Sequence, residues 1–351
     1  MLGGSNSVAT RGLQSGLKSG CDNVKNLALG ASTSLQNLYE IVRNNKIVSN
    51  ADLIVTESNV NDFHNHNLGK VPIDIIEKNI DLFYEALFHT NKKAIVLILP
   101  ILMKRFINAD IINNRHRANI EEYGFSLLDL SSCYNDKELN SFFNFENLDH
   151  PMSEIMGMIG SNIVSKFDSI KFINDSLILN KKNSFDFFIP DRLASSNRKN
   201  SGFSEVVYKL GNNKVEFPSK FHGYNLMGVH AWNDGCQVKN KNHYSLIAIE
   251  SQGHLIVKPF NAECQFHEIY SKNITIDTST VFYKTDSLDA TEESMRVNPN
   301  GDRLSNFGLI GMLLAKNIDS SIPKKRPNFK IENCRLDYLI PPLSIFKNII
   351  Q

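Results

Sequence analysis

Four short stretches of the chain hold side chains that can work together on a carbonyl carbon. Gly3-Gly4-Ser5-Asn6-Ser7 stands near the start, and Gly30-Ala31-Ser32-Thr33 follows the apolar run VKNLAL. Glu57-Ser58-Asn59-Val60-Asn61-Asp62 follows ADLIVT, and Asn147-Leu148-Asp149-His150-Pro151 precedes a helical pattern. A serine hydroxyl is a weak nucleophile until an adjacent imidazole accepts its proton. The oxyanion that forms next needs preorganised donors, such as a glycine N–H or an asparagine amide, and one such donor is worth about 3–4 kcal/mol of barrier. Ser5, Gly30, Asn61 and His150 supply one of each. The glycines also allow a tight turn with close backbone approach. Two other roles for the first stretch are a terminal tail and a phosphate loop, but the G-x-x-x-x-G-K-[ST] spacing of the latter is missing.

Such residues need a frame that brings distant loops to one edge. Residues 1–168 alternate strand-like runs (24–29, 51–56, 93–100 and 125–130) with helical patterns. The helices are expected over 35–45, from Pro72 onward, over 115–123 and after Pro151. The alternation predicts βαβ units on a parallel sheet, whose reactive loops lie at the carboxyl ends of the strands. KAIVLILP, a continuous apolar run, suits a strand buried on both faces. After about Ile173, short runs rich in Val, Ile, Phe and Tyr alternate with Asn, Gly, Asp and Ser clusters, which predicts an all-β sandwich or jelly roll. Ser251-Gln252-Gly253 reads as a hairpin turn, and FGLIGMLLAK as a buried helix or strand pair. The boundary falls between 168 and 182, giving an α/β catalytic domain over 1–168 and a β-rich accessory domain over 169–351.

At 351 residues the chain exceeds what one core of roughly 250–300 residues accommodates. A net charge of +1 argues against capture of nucleic acid or an anionic membrane. Five scattered cysteines without a C-x-x-C pair indicate neither a zinc ribbon nor a disulfide framework, which suits reduced thiols in the cytosol. No apolar stretch reaches the ~18–20 residues of a membrane span, and no secretory signal is visible. A cytoplasmic location is the expectation.

The ordered set GGSNS, NLALGAST, NVND and LDHP resembles the four blocks of the SGNH (GDSL-like) hydrolase family over residues 1 to about 168. The resemblance implies a three-layer α/β/α sandwich with a parallel sheet. It makes Ser5 the nucleophile, His150 the general base, and the Ser5 and Gly30 N–H groups with the Asn61 amide the oxyanion hole. Gly4 stands where the family usually has Asp, Asn59 where it has Gly, and Asn147 where it has Asp three residues before the histidine. The orienting partner of His150 is therefore open between Asn147, Asp149, a backbone carbonyl and none. Only Met1 and Leu2 precede Gly3, so the strand before the nucleophile is either very short or begins upstream.

The implied reaction is acyl transfer through an ester on Ser5. The first expectation is O-acetylation of a bacterial surface polysaccharide or its precursor, with acetyl-CoA as donor. The alternatives are an esterase or deacetylase of the same family and a non-catalytic glycan-binding protein. His64 and His66 lack the further ligands of a zinc site, and beside the asparagine block they are candidate substrate-facing groups. Trp232, His230 and Tyr244 offer rings to a sugar, although core packing in a sandwich is the plainer role.

Overall fold

The runs LIVT, KAIVLI and SLLD form parallel strands β1 (Leu53–Thr56), β2 (Lys93–Ile98) and β3 (Ser126–Asp129), with β2 in the middle. Val55 pairs with Ile95, and Val96 with Leu127. The computed structural model describes residues 1–101, 106–134, 142–144, 147–170, 183–200, 202–233, 243–271, 274–298, 300–318 and 330–346. Five of the six β2 residues are buried, as a strand covered on both faces requires.

The sheet's hydrogen bonding continues beyond β1 through two extended segments. Leu2 N–H donates to the Val55 carbonyl (2.9 Å), Leu27 N–H to Met1 (2.9 Å) and Leu29 N–H to Gly3 (3.1 Å). Met1–Gly3, just ahead of Ser5, is an extended segment bonded on both sides, outside the three paired strands. The run expected as a strand over 24–29 is likewise extended main chain and forms no strand of its own, bonded to Met1 and Gly3 through Leu27 and Leu29.

Helices α1 (Ser5–Val8), α2 (Leu13–Lys18), α3 (Ser34–Arg43) and α4 (Asn45–Ser49) precede β1. After it come α5 (Asn59–Leu68), α6 (Ile73–His89), α7 (Ala109–Tyr123), α8 (Leu130–Cys133) and α9 (Ser153–Ser165). Helices α2 and α9 touch through glycine: a Cβ on Gly16 would strike the Gly157 carbonyl, and one on Gly160 would meet the backbone of Leu13 and Leu17. Leu13, Leu17, Ile155, Ile159 and Ile163 then share a core with Val55, Ile95, Leu97 and Leu128.

The chain divides into two compact units. One comprises Met1–Phe63, Ile76–Asn180 and Ser321–Gln351, the other His64–Ile75 and Lys181–Ser320. This differs from a single break between 168 and 182. Leu336, Leu339, Leu343 and Phe346 belong to the first unit's core, and Leu336 N–H bonds the Leu127 carbonyl at 2.8 Å. Apolar side chains thus draw the C-terminal segment out of the expected accessory domain.

A short antiparallel pair, β4 (Phe143–Asn144) and β5 (Asn147–Pro151), follows β3 in the first unit. The strands of the second unit are β6 (Ser184–Phe188), β7 (Ser195–Lys199), β8 (Ser204–Leu210), β9 (Lys214–Glu216), β10 (Asn225–Trp232) and β11 (Tyr244–Ser251). They continue with β12 (His254–Asn261), β13 (Cys264–Glu268), β14 (Ile274–Thr275), β15 (Val281–Thr285) and β16 (Phe307–Lys316). They form two antiparallel sheets: one runs β13-β10-β16-β8-β7, with β14 on β10 and β6 on β16, and the other runs β12-β11-β15-β9. Val229, Leu309 and Met312 of the first sheet share a core with Ile249, Phe260 and Phe282 of the second. FGLIGMLLAK is a single strand, β16, paired along both edges. The expected hairpin joins β11 to β12, with Gln252 at φ 48° and Gly253 at φ 74°, the left-handed pair that a tight β-turn needs.

Candidate active site

Ser5 opens α1 one residue after Met1–Gly3, with Gly4 between, so the hydrogen bonds of that segment and the helix start fix its position. The Ser7 and Val8 N–H groups close the turn on the Gly4 carbonyl, both at 3.0 Å. His150 lies on a short strand, Asn147–Pro151, just before α9. Its Nε2 is 2.7 Å from Ser5 Oγ, across 145 residues of sequence. The glycine contact between α2 and α9 accounts for this meeting, because α2 follows Ser5 closely and α9 follows His150. Ser19 Oγ and Ser161 Oγ, 3.0 Å apart, join the same two helices.

The proposed donors gather around the same turn. Asn61 Nδ2 is buried and makes no hydrogen bond among the described residues. It packs against Gly4 so closely that a Cβ there would overlap it, which is a steric reason for glycine ahead of the serine. An unsatisfied buried amide costs about 1–3 kcal/mol, a cost that an incoming oxyanion would remove. Gly30 follows Leu29, whose N–H bonds Gly3, and a Cβ on Gly30 would meet nothing within 4 Å. The N–H groups of Ser5 and Gly30 take no main-chain partner among the described residues.

Asn61 was expected on a loop and instead sits in the first turn of α5. Asn59 docks that turn: its amide donates to the Leu99 carbonyl at 2.8 Å and accepts the Leu99 N–H at 3.1 Å. Asp62 accepts the Ser34 N–H (2.9 Å) and hydroxyl (2.8 Å), and lies 3.0 Å from His116 Nε2. His116 Nδ1 in turn meets Tyr84 OH at 3.0 Å. These partners of the asparagine block carry no local sequence signal, since α3, α6 and α7 bring them from far along the chain.

Glu57, also missed in the sequence, lies under the turn that carries Ser5. Its Oε1 accepts the Gly4 N–H at 2.7 Å and the Ser7 hydroxyl at 3.0 Å. The only hint was a carboxylate immediately after an apolar strand. Of the other candidates, His66 Nδ1 lies 2.8 Å from the Val71 carbonyl beyond the end of α5, and His64 is half-buried on that helix. Both fall in the segment grouped with the second unit. The side chains of Asn147 and Asp149 lie outside the described residues. Trp232, His230 and Tyr244 are buried. Trp232 packs with Val207 and Ile310, and Tyr244 with Leu246 and Val257, so these rings serve as core and not as a sugar platform.

No family model matches the chain, and no curated protein matches it. Among the described residues no helix is long and apolar enough to cross a membrane.

Proposed function

We propose that the first unit is an SGNH-like serine acyl-transfer enzyme, its sheet the centre of an α/β/α sandwich, acting through an acyl ester on Ser5. The observation that carries this reading is the 2.7 Å approach of His150 Nε2 to Ser5 Oγ, within the reach that proton transfer needs. Ser5 Oγ attacks the acyl carbonyl while its proton passes to His150. The Ser5 and Gly30 N–H groups and the Asn61 amide receive the oxyanion. Collapse breaks the bond to the leaving group, which departs with the proton from His150, and leaves the ester on Ser5. An acceptor hydroxyl then gives its proton to His150 and attacks that ester. The second collapse frees Ser5, which regains the proton.

The acceptor we assign is a hydroxyl of a surface polysaccharide or its precursor, with a thioester such as acetyl-CoA as donor. On this reading the holding of a bulky glycan falls to the second unit's paired sheets. Turnover of p-nitrophenyl acetate by the wild type, reduced about 10³–10⁶-fold in Ser5→Ala, is the expected result. Equal turnover by the variant overturns the reading. Acetyl-CoA consumption that requires both Ser5 and added glycan identifies transfer, whereas glycan-independent hydrolysis identifies an esterase. Absence of both, in folded protein, leaves a glycan-binding protein.

A further inference from the structure

The turn before Ser5 contains the two most pliant residues a chain can offer, since Gly3 and Gly4 both lack a Cβ. Gly4 has no alternative, because Asn61 occupies the space a side chain would need. Something else must pin the peptide ahead of the nucleophile, and Glu57 does so from beneath. Its Oε1 takes the Gly4 N–H and the Ser7 hydroxyl together. Its Oε2 is buried with no hydrogen-bond partner among the described residues.

We propose that Glu57 is a positioning residue of the nucleophile turn, whose ionised carboxylate fixes the direction of the Ser5 hydroxyl and N–H and whose protonation slackens them. The proposal rests on the reading of Ser5 as nucleophile. Charge-assisted hydrogen bonds are shorter and about twice as strong as neutral ones, which gives the carboxylate an advantage over a neutral acceptor. Nothing cationic among the described residues pairs with it. Helix α1 offers Ser7, and α3 offers Asn37, whose amide bonds the Glu57 main-chain carbonyl at 3.3 Å. Helix α5 offers Asp62, whose negative charge opposes ionisation. His116 is bonded to Asp62, and His150 lies beyond Ser5. Burial, against the pull of the hydrogen bonds, pushes the Glu57 carboxyl up to about 7. The clamp therefore changes state in the neutral range.

Glu57→Gln keeps the shape and the acceptor but not the charge. The expected result with p-nitrophenyl acetate is a kcat lower by about 10- to 100-fold with KM nearly unchanged. The acid limb of the pH–rate profile should also lose the ionisation that belongs to Glu57. A purely structural role would leave the profile's shape intact. Wild-type kcat and profile in Glu57→Gln, with activity still lost in Ser5→Ala, overturn the proposal and spare the parent reading. Activity retained in Ser5→Ala removes that reading itself. Should the Gln variant fail to fold, carbon-13 NMR of labelled glutamate in the wild type decides. A Glu57 midpoint near the kinetic one supports the clamp, and one in the ordinary carboxylate range overturns it.

Discussion

Glu57 in the first unit and Glu292 in the second are both sealed from water, yet their surroundings differ in kind. Glu292 Oε2 faces Lys258 Nζ at 3.0 Å, and its Oε1 accepts the N–H groups of Tyr270 (3.0 Å) and Ser271 (2.7 Å). Lys258 also donates to the Glu293 carbonyl at 2.8 Å and lies 4.4 Å from the centre of the Tyr270 ring. Charge is matched and both carboxylate oxygens are engaged. Glu57 has two donors on one oxygen, none on the other, and Asp62 as its electrostatic neighbour. A carboxylate that serves only the fold is retained with its counter-charge, because a buried unpaired charge costs several kcal/mol. One retained without it, beneath the turn that carries Ser5, is what the proposed positioning role requires.

Removing the negative charge should therefore have opposite effects at the two sites. Glu292→Gln strands Lys258 in the interior, and breaking a buried pair typically costs about 3–5 kcal/mol. Trp232, the only tryptophan of the chain and buried in the second unit, reports this as an earlier urea midpoint of its fluorescence. A midpoint equal to wild type would show that the pair contributes nothing, and the contrast would fail.

The next effect is smaller and reversed in sign. The folded protein keeps the Glu57 proton up to about pH 7, whereas the unfolded chain releases it near 4.5. The folded state therefore binds more protons between those values, and stability falls as pH rises across that window. The rise corresponds to roughly 3 kcal/mol, present in full below the unfolded value and lost above the folded one. Gln does not titrate. Glu57→Gln should match the wild type at about pH 4 and exceed it by up to roughly 3 kcal/mol above about pH 8. The far-UV helical signal, which comes mainly from the first unit, follows it. A loss at alkaline pH comparable to that of Glu292→Gln would make both glutamates structural.

The contrast also marks what could be read from residue types. Ser5, Asn61 and His150 could be picked out as candidates because their side chains carry the relevant groups, and Gly30 because its N–H follows a strand-like run; the structure brings Ser5 to His150 and Asn61 to Gly4. Glu57 could not be, because a charged residue between a strand and a polar stretch looks solvated, and its burial depends on the Gly3–Gly4 turn, a neighbour of β1 in space but 53 residues away in sequence. The helical setting of Asn61 was hidden for a similar reason: the Asn59 amide docks on Leu99, 40 residues away. KAIVLI was readable as a strand because it is both apolar and β-branched. FGLIGMLLAK was ambiguous because burial on both faces erases the alternation that separates strand from helix. The C-terminal leucines gave no indication of which core they would join, since affinity for apolar surface does not specify an address.

The finest probe is Ser7→Ala, which removes one of the two donors on Glu57 Oε1 and nothing else from the turn's main-chain bonds. The Ser7 hydroxyl lowers the Glu57 pKa, so its loss should move the carboxyl above its present value near 7 and widen the destabilised window toward alkaline pH. A hydrogen bond to a charged group is worth about 1.5–3 kcal/mol and one to a neutral group about 0.5–1.5 kcal/mol. The variant should therefore lose more stability above about pH 8, where Glu57 is ionised, than at about pH 4, where it is neutral. In the Glu57→Gln background that pH dependence should vanish, because the acceptor no longer changes charge. Equal losses at both pH values in the wild-type background would mean that Glu57 does not ionise in the folded protein. The carboxyl would then be a neutral acceptor, closer in kind to an amide than to the charge-matched Glu292.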